Sequence, residues 1–261
     1  MPELPDVEIF REYFQSTALN QEIGEVKITA PQMLGGIGAD RLKDALKGRT
    51  FESAVRHGKY LFAETQGGWL VLHFGMTGFL RYEKSSEPAP EHARLMVKFA
   101  NGYRLAFDCA RKLGRIGWTK EIPRFVEEQD LGVDPLDESF DRKEFRKLLE
   151  KRRGSIKGLL MNQKALAGVG NIYSDEILFH AGISPRRSVK DLRQDECDAL
   201  YGTMEEVLHT AIEWRVGEKG WPENWLLPRR RPDEDCPRCG GKIEKVNASG
   251  RSAYYCPAHQ D

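Results

Sequence analysis

The sequence predicts an α+β protein of more than one domain, an antiparallel β half followed by a helical half and a short cysteine-rich end. Three observations carry this. Segments rich in β-branched and aromatic residues recur at short intervals as far as Thr119. From Asp134-Pro135 onward the apolar spacing becomes that of helices. Three of the five cysteines are crowded between Cys236 and Cys256. A chain of 261 residues suffices for two or three domains, and the pattern places them at 1–134, 135–225 and 226–261.

The first element is a helix, because Val7, Phe10, Phe14 and Ala18 share one face behind Asp6 and Glu8 in the first turn. Strands are expected at 23–30, 51–57, 60–65, 69–74, 94–100, 103–108 and 115–119, with a short helix near 41–46. Asn101-Gly102 is a two-residue hairpin signal. Such strands close into an antiparallel β-sandwich or barrel. In the second half Asp141 and Glu144 make a capping box ahead of Phe145, Leu148 and Leu149. Further helices are expected at 156–161, 171–181 and about 192–216, then a linker rich in Gly, Pro and Arg at 217–235.

Forty basic and forty acidic residues cancel, so bulk charge points to no polyanionic partner. Locally, eight Lys/Arg stand against two acids between Arg142 and Lys157, which fits either a solvated helix face or a nucleic-acid contact. No apolar run approaches the ~18 residues of a membrane span, and the first residues lack a signal-peptide layout. A soluble intracellular protein without membrane contact is expected, and an odd cysteine count fits a reducing compartment.

The C-terminal segment reads Cys236-Pro-Arg-Cys239, sixteen residues, then Cys256-Pro-Ala-His259. Two such knuckles separated by a hairpin's length match a tetrahedral zinc ribbon, so Cys236, Cys239, Cys256 and His259 are the predicted ligands of one structural Zn2+. Between them, 242–246 and 251–255 can pair around a turn at 247–250, with Arg251 near the tip.

At the other end the chain reads MPELPDVE. If Met1 is removed, Pro2 carries a free secondary amine, with a reference pKa near ~8 against ~10.4 for lysine. Such an amine can attack a sugar aldehyde carbon to give an iminium, and Glu3 beside it can transfer a proton. The positive end of the first helix is expected to face both. A Pro-Glu pair before a helix is also an ordinary helix entry, and the pair alone leaves both readings open. Asn171 follows Gly168 and Gly170 at a helix start, where backbone N–H groups can hold a phosphate.

PELPDVE at 2–8, HGKY at 57–60, AGVGNIYSDEILFHAGISP at 167–185 and the terminal ribbon together resemble the formamidopyrimidine-DNA glycosylase and endonuclease VIII family. PELP and the MTG at 76–78 favour the first branch. The resemblance runs in order over nearly the whole chain. It implies a β-sandwich, a helix–two-turn–helix domain and a zinc finger acting on double-stranded DNA that contains damaged bases or abasic sites. The base is flipped out, its glycosidic bond is cut, and both phosphates of the abasic sugar are eliminated. It implies Pro2 as Schiff-base nucleophile, Glu3 as proton donor, Lys59 in phosphate contact and β-elimination, and Arg251 in phosphate contact and δ-elimination. His92, Lys112, Arg153, Lys157 and Asn171 are implied on the DNA backbone, while Met76, Arg111 and Leu113 fill the gap left by the base. A monomer in a bacterial-type cytoplasm, associated with the nucleoid, goes with this reading. A non-catalytic DNA-damage-binding protein of the same fold and a glycosylase for oxidised pyrimidines remain as alternatives.

The chain departs from the family pattern in places. Lys112 and Leu113 stand where purine-directed members usually have Arg and Phe, His259 where Cys is usual, and Asp6 where Glu is common. Residues 213–235 replace a longer Gly/Ser/Thr-rich loop that closes over the flipped base. Trp221 and Trp225 there can stack on a flipped base or pack against the zinc ribbon.

Overall fold

The computed structural model describes residues 1–150 and 152–261, so Lys151 of the basic run lies outside the described residues. The chain divides into two compact units, Met1–Pro2 with Asp6–Gln129, and Glu3–Pro5 with Asp130–Asp261.

The first unit is a two-sheet sandwich. Strands β1 (Ile23–Ile28), β2 (Leu34–Gly35), β3 (Ala54–His57), β4 (Tyr60–Thr65), β5 (Gly68–His73), β6 (Gly78–Lys84), β7 (Ala93–Phe99), β8 (Tyr103–Cys109) and β9 (Arg115–Thr119) form sheets of order β1-β7-β8-β6 and β2-β9-β5-β4-β3. The pairings are antiparallel except β2 with β9. Helix α1 (Leu4–Ala18) sends Val7, Phe14 and Ala18 into a core shared with Leu61 and Leu72 of one sheet and Val97 and Phe107 of the other. Helix α2 (Ala39–Leu46) adds Leu42 and Leu46. Because side chains alternate along a strand, Tyr60 and Phe62 face away from that core. They are covered by Phe125 of α3 (Ile122–Glu128), at ring distances of 5.3 and 5.4 Å.

Three local details differ from expectation. Strand β6 was not predicted: it is an edge strand whose outer half, Arg81 to Lys84, is charged, which hides the apolar alternation. Helix α3 was not predicted either, since it opens on Ile122-Pro123 in an acidic stretch and buries no residue fully. The β7–β8 hairpin turns through three residues, Ala100 to Gly102, with Gly102 donating to Phe99 O at 3.2 Å and holding φ 85°, so Asn101-Gly102 is not a two-residue loop.

The second unit is helical, with α4 (Arg142–Glu150), α5 (Ile156–Leu160), α6 (Asn171–Ala181) and α7 (Gln194–Glu213). Phe145 and Leu149, Ile177 and Leu178, and Leu200, Met204 and Leu208 pack together, and Leu4 joins them. Asp141 caps α4 by accepting Glu144 N at 2.8 Å, but the Glu144 carboxylate turns to Lys147, so only half of the capping box forms. Helix α6 is buried on every side from Tyr173 to Phe179, including Asp175 and Glu176. At the C-terminus β10 (Glu244–Ala248) and β11 (Arg251–Tyr255) pair with Ala248 opposite Arg251. The turn is therefore Ser249-Gly250, both at positive φ, two residues tighter than the predicted one. Among the described residues no helix is long and apolar enough to cross a membrane.

Candidate active site

The site begins where the chain begins. Leu4 N donates to Gly168 O at 3.0 Å and sets Glu3 against the start of α6. Glu3 Oε2 accepts Gly170 N at 2.8 Å and Tyr173 N at 3.1 Å, and Oε1 accepts Ile172 N at 3.0 Å. Glu3 is 1% exposed. Gln163 shapes the loop that presents these groups, with Nε2 donating to Val169 O (2.7 Å) and Oε1 accepting Gly168 N (3.0 Å). Pro2, the covalent neighbour of this anchored carboxylate, is half-buried.

Glu3 stands directly before α1, as expected, but its carboxylate is also held by the start of α6. One expectation is corrected here: the Gly170, Ile172 and Tyr173 N–H groups of that helix start are occupied by Glu3 rather than open to a phosphate. What Asn171 still offers a phosphate is its side-chain Nδ2 donor, while its buried Oδ1 has no hydrogen-bond partner.

Lys157 is a further correction. Its side chain is wholly buried, with Nζ 2.6 Å from Asp175 Oδ1, 2.8 Å from Ser174 Oγ and 3.2 Å from Asn171 O. Burial lowers its pKa and raises that of Asp175, and the contact between them opposes both shifts. An ammonium spent in this way cannot reach a DNA phosphate. Arg153 and Arg251 are open to solvent. Arg251 opens β11, whose preceding turn is docked by Ser249 Oγ on Ser155 Oγ at 2.7 Å.

In the first unit Lys59 follows Gly58 (φ 56°) in the β3–β4 turn and is 8% exposed. It lies close enough to His73, the last residue of β5, to affect its titration. Burial first, then Lys59 and Arg115, push the His73 pKa down to about 4. The ring is neutral at pH 7, with Nδ1 accepting Gly75 N at 3.3 Å. His73 was missed in the sequence, although pairing of the HGKY turn with the strand ahead of MTG, Tyr60 opposite His73, places it there.

Met76 and Leu113 are 41% and 51% exposed, on two touching loops. A Cβ at Gly75 (φ 60°) would fall 2.4 Å from the Leu113 carbonyl carbon, so only glycine allows that approach. Arg111 N donates to Thr77 Oγ1 at 3.4 Å across the same seam. Arg111 and Lys112 are exposed, and His92 is half-exposed where its carbonyl accepts Cys109 N at 2.9 Å. These residues crowd one end of the β7–β8 pair.

The segment after α7 is fastened to the helices. Glu176 accepts Leu226 N (2.9 Å) and Leu227 N (2.7 Å), and Trp225 is 4% exposed in the helical core with Trp221 stacked on it at 5.1 Å. Both tryptophans pack on the helical core.

The ligand atoms of Cys236, Cys239, Cys256 and His259 all lie within 4.8 Å of one another. Cys239 Sγ is 3.6 Å from Cys256 Sγ and 3.7 Å from His259 Nδ1. A tetrahedral zinc with bonds of ~2.3 Å needs ligand separations of roughly 3.8 Å, so the set fits one structural zinc. His259 Nε2 faces Phe179 O at 3.3 Å, which leaves Nδ1 as the ligating nitrogen. A Cβ at Gly241 would sit 3.2 and 3.3 Å from two of the sulfurs, so glycine makes room for the cluster.

Comparison with known proteins agrees along the chain. The profile of the formamidopyrimidine-DNA glycosylase N-terminal domain matches residues 1–116, that of the formamidopyrimidine-DNA glycosylase H2TH domain 131–220, and that of the zinc finger found in FPG and IleRS 233–258. Formamidopyrimidine-DNA glycosylase of Geobacter metallireducens is 38% identical over 268 residues, and that of Pelobacter propionicus 36% over 267, each covering 100% of both chains. A complex of wild-type Lactococcus lactis Fpg (MutM) with DNA containing N7-benzyl-Fapy-dG superposes with a TM-score of 0.90 at 31% identity over 100% of both chains. A complex of Lactococcus lactis Fpg with abasic-site DNA gives 0.89 at 31% identity over 99% of each.

Proposed function

The chain belongs to the formamidopyrimidine-DNA glycosylase family, and from that premise we propose how its residues act as a base-excision-repair glycosylase and abasic-site lyase. The Pro2 nitrogen, once Met1 is removed, bonds to the sugar C1′ as the glycosidic bond breaks and the base departs. Glu3 moves the proton at the sugar ring. The resulting iminium acidifies C2′, and loss of that proton expels the 3′ phosphate; loss of a second proton, from C4′ of the conjugated product, then expels the 5′ phosphate. Lys59, with neutral His73 beside it, and Arg153, Asn171 and Arg251 hold the backbone phosphates. Met76, Arg111 and Leu113 occupy the gap in the stack. Bound zinc supplies structure to the β10–β11 hairpin and no chemistry at the sugar.

The observation that carries this reading is the anchoring of Glu3 by three backbone N–H groups, which fixes the residue bonded to the nucleophile. The substrate is double-stranded DNA with ring-opened bases or abasic sites, handled by a monomer with domains at 1–134, 135–225 and 226–261. A cytoplasmic, nucleoid-associated location fits the bacterial relatives. Borohydride reduction during turnover of abasic duplex tests the chemistry: a covalent adduct is expected, mapped by mass spectrometry to Pro2 and lost in Pro2→Gly. An adduct on a lysine overturns the nucleophile assignment, and lesion binding without any adduct favours a non-catalytic damage-binding protein.

A further inference from the structure

Four elements of the second unit converge on the Asp175 carboxylate. Asp175 lies on α6, and its Oδ1 accepts Lys157 Nζ from α5 at 2.6 Å. Its Oδ2 accepts Arg230 Nε from the segment after α7 at 2.9 Å and the Tyr254 backbone N–H from β11 at 3.2 Å. The Asp175 side chain is wholly buried, and that of Arg230 is 18% exposed. Lys157 and Arg230 both reach on to the Asn171 carbonyl, at 3.2 and 3.4 Å. The Arg230 guanidinium lies 4.5 Å over the Tyr254 ring.

Burying a carboxylate with two cations is a poor route to stability, because desolvation offsets most of the attraction and an apolar cluster of the same volume does as well. What such a network supplies is geometry. Asn171 is held through its own carbonyl, and β11 is held at Tyr254, three residues along the strand from Arg251. We propose that Asp175 and Arg230 are positioning residues that set the spacing between Asn171 and Arg251, so that both side chains reach phosphate on the same DNA. This rests on the reading of Asn171 and Arg251 as phosphate contacts.

The test measures binding of the full zinc-loaded chain to duplex with a non-cleavable abasic analogue, as a function of salt. The variants are Arg251→Ala, Arg230→Gln, Arg230→Lys, the Arg251→Ala/Arg230→Gln double variant and Asp175→Asn. Arg251→Ala is expected to make the salt slope shallower by about one. Arg230→Gln keeps the Lys157–Asp175 pair and its cooperative melting; it is expected to weaken binding about tenfold with a similar loss of slope. The double variant should bind no more weakly than Arg251→Ala, and Arg230→Lys should recover part of the loss. Multiplicative effects in the double variant would mean that Arg230 acts separately and would overturn the proposal. So would full-strength binding by Arg230→Gln, or loss of cooperative melting in that variant, which would make the pair a stability element. If Asp175→Asn does not fold, Arg230→Gln decides. An unchanged slope in Arg251→Ala strikes at the phosphate reading itself and takes this inference with it.

Discussion

Gly170 donates its backbone N–H to Glu3 Oε2 at 2.8 Å across 167 residues of chain. Helix α6 has no side-chain cap of its own, and Glu3 supplies one from the far end of the sequence. Glu3→Ala leaves three N–H groups without their acceptor and is expected to destabilise the protein by about 2–3 kcal/mol. Glu3→Gln keeps one acceptor oxygen and should cost less while still abolishing proton transfer. Urea unfolding of both variants checks this; wild-type stability in Glu3→Ala would mean that water satisfies those groups equally well.

Lys157 and Arg153 lie four residues apart in one basic run, yet only one of them is open to solvent. Removing the Lys157 charge strands part of a buried carboxylate, so Lys157→Met should cost about 3 kcal/mol. Arg153→Ala should stay within about 0.5 kcal/mol but make the salt slope of DNA binding shallower by about one. A stable Lys157→Met that loses slope would return Lys157 to the DNA surface.

That contrast shows what the sequence could and could not convey. β4 and α6 are legible because most of their residues are buried and many are apolar, and cysteine spacing locates the zinc site because its ligands are local. The role of a cation in a charge run depends on which carboxylate the fold brings beneath it. Asp175 comes from another helix. The α6 N–H groups that hold Glu3 are likewise non-local. His73 was invisible because a lone histidine at a strand end carries no pattern until pairing sets it opposite Tyr60.

His73 gives a pH signature. Its folded pKa of about 4 lies below the 6.5 of the free side chain, so on acidification the unfolded chain binds the proton first. The stability it contributes is complete above about pH 6.5 and is lost as pH falls toward about 4. Allowing for solvent screening, the loss is about 2 kcal/mol. The melting temperature of His73→Asn should therefore fall less than that of wild type between about pH 7 and pH 5; parallel curves would refute the buried neutral ring.

Zinc should be present at one per chain. So short a hairpin has almost no core apart from the metal, and chelation is expected to unfold it and abolish tight DNA binding while leaving the sandwich unit folded. Elemental analysis of Cys239→Ala with full zinc content would exclude this ligand set.

Lesion choice follows from how the segment after α7 is used. A site rejects a substrate strongly when that substrate leaves buried polar groups unpaired, whereas shape alone discriminates by about 10- to 200-fold. Here the backbone donors of Leu226 and Leu227 are spent on Glu176, the Arg230 guanidinium on Asp175, and the Trp221–Trp225 stack on the helical core. None of these groups remains to read an intact base. Ring-opened formamidopyrimidines and abasic sites ask least of such a reader, since the distorted base leaves readily and an abasic site has none. Both should be processed well, and 8-oxoguanine opposite cytosine more slowly. Single-turnover rates on matched duplexes give the order, and a fastest rate on 8-oxoguanine would show that base reading is done by groups outside this segment.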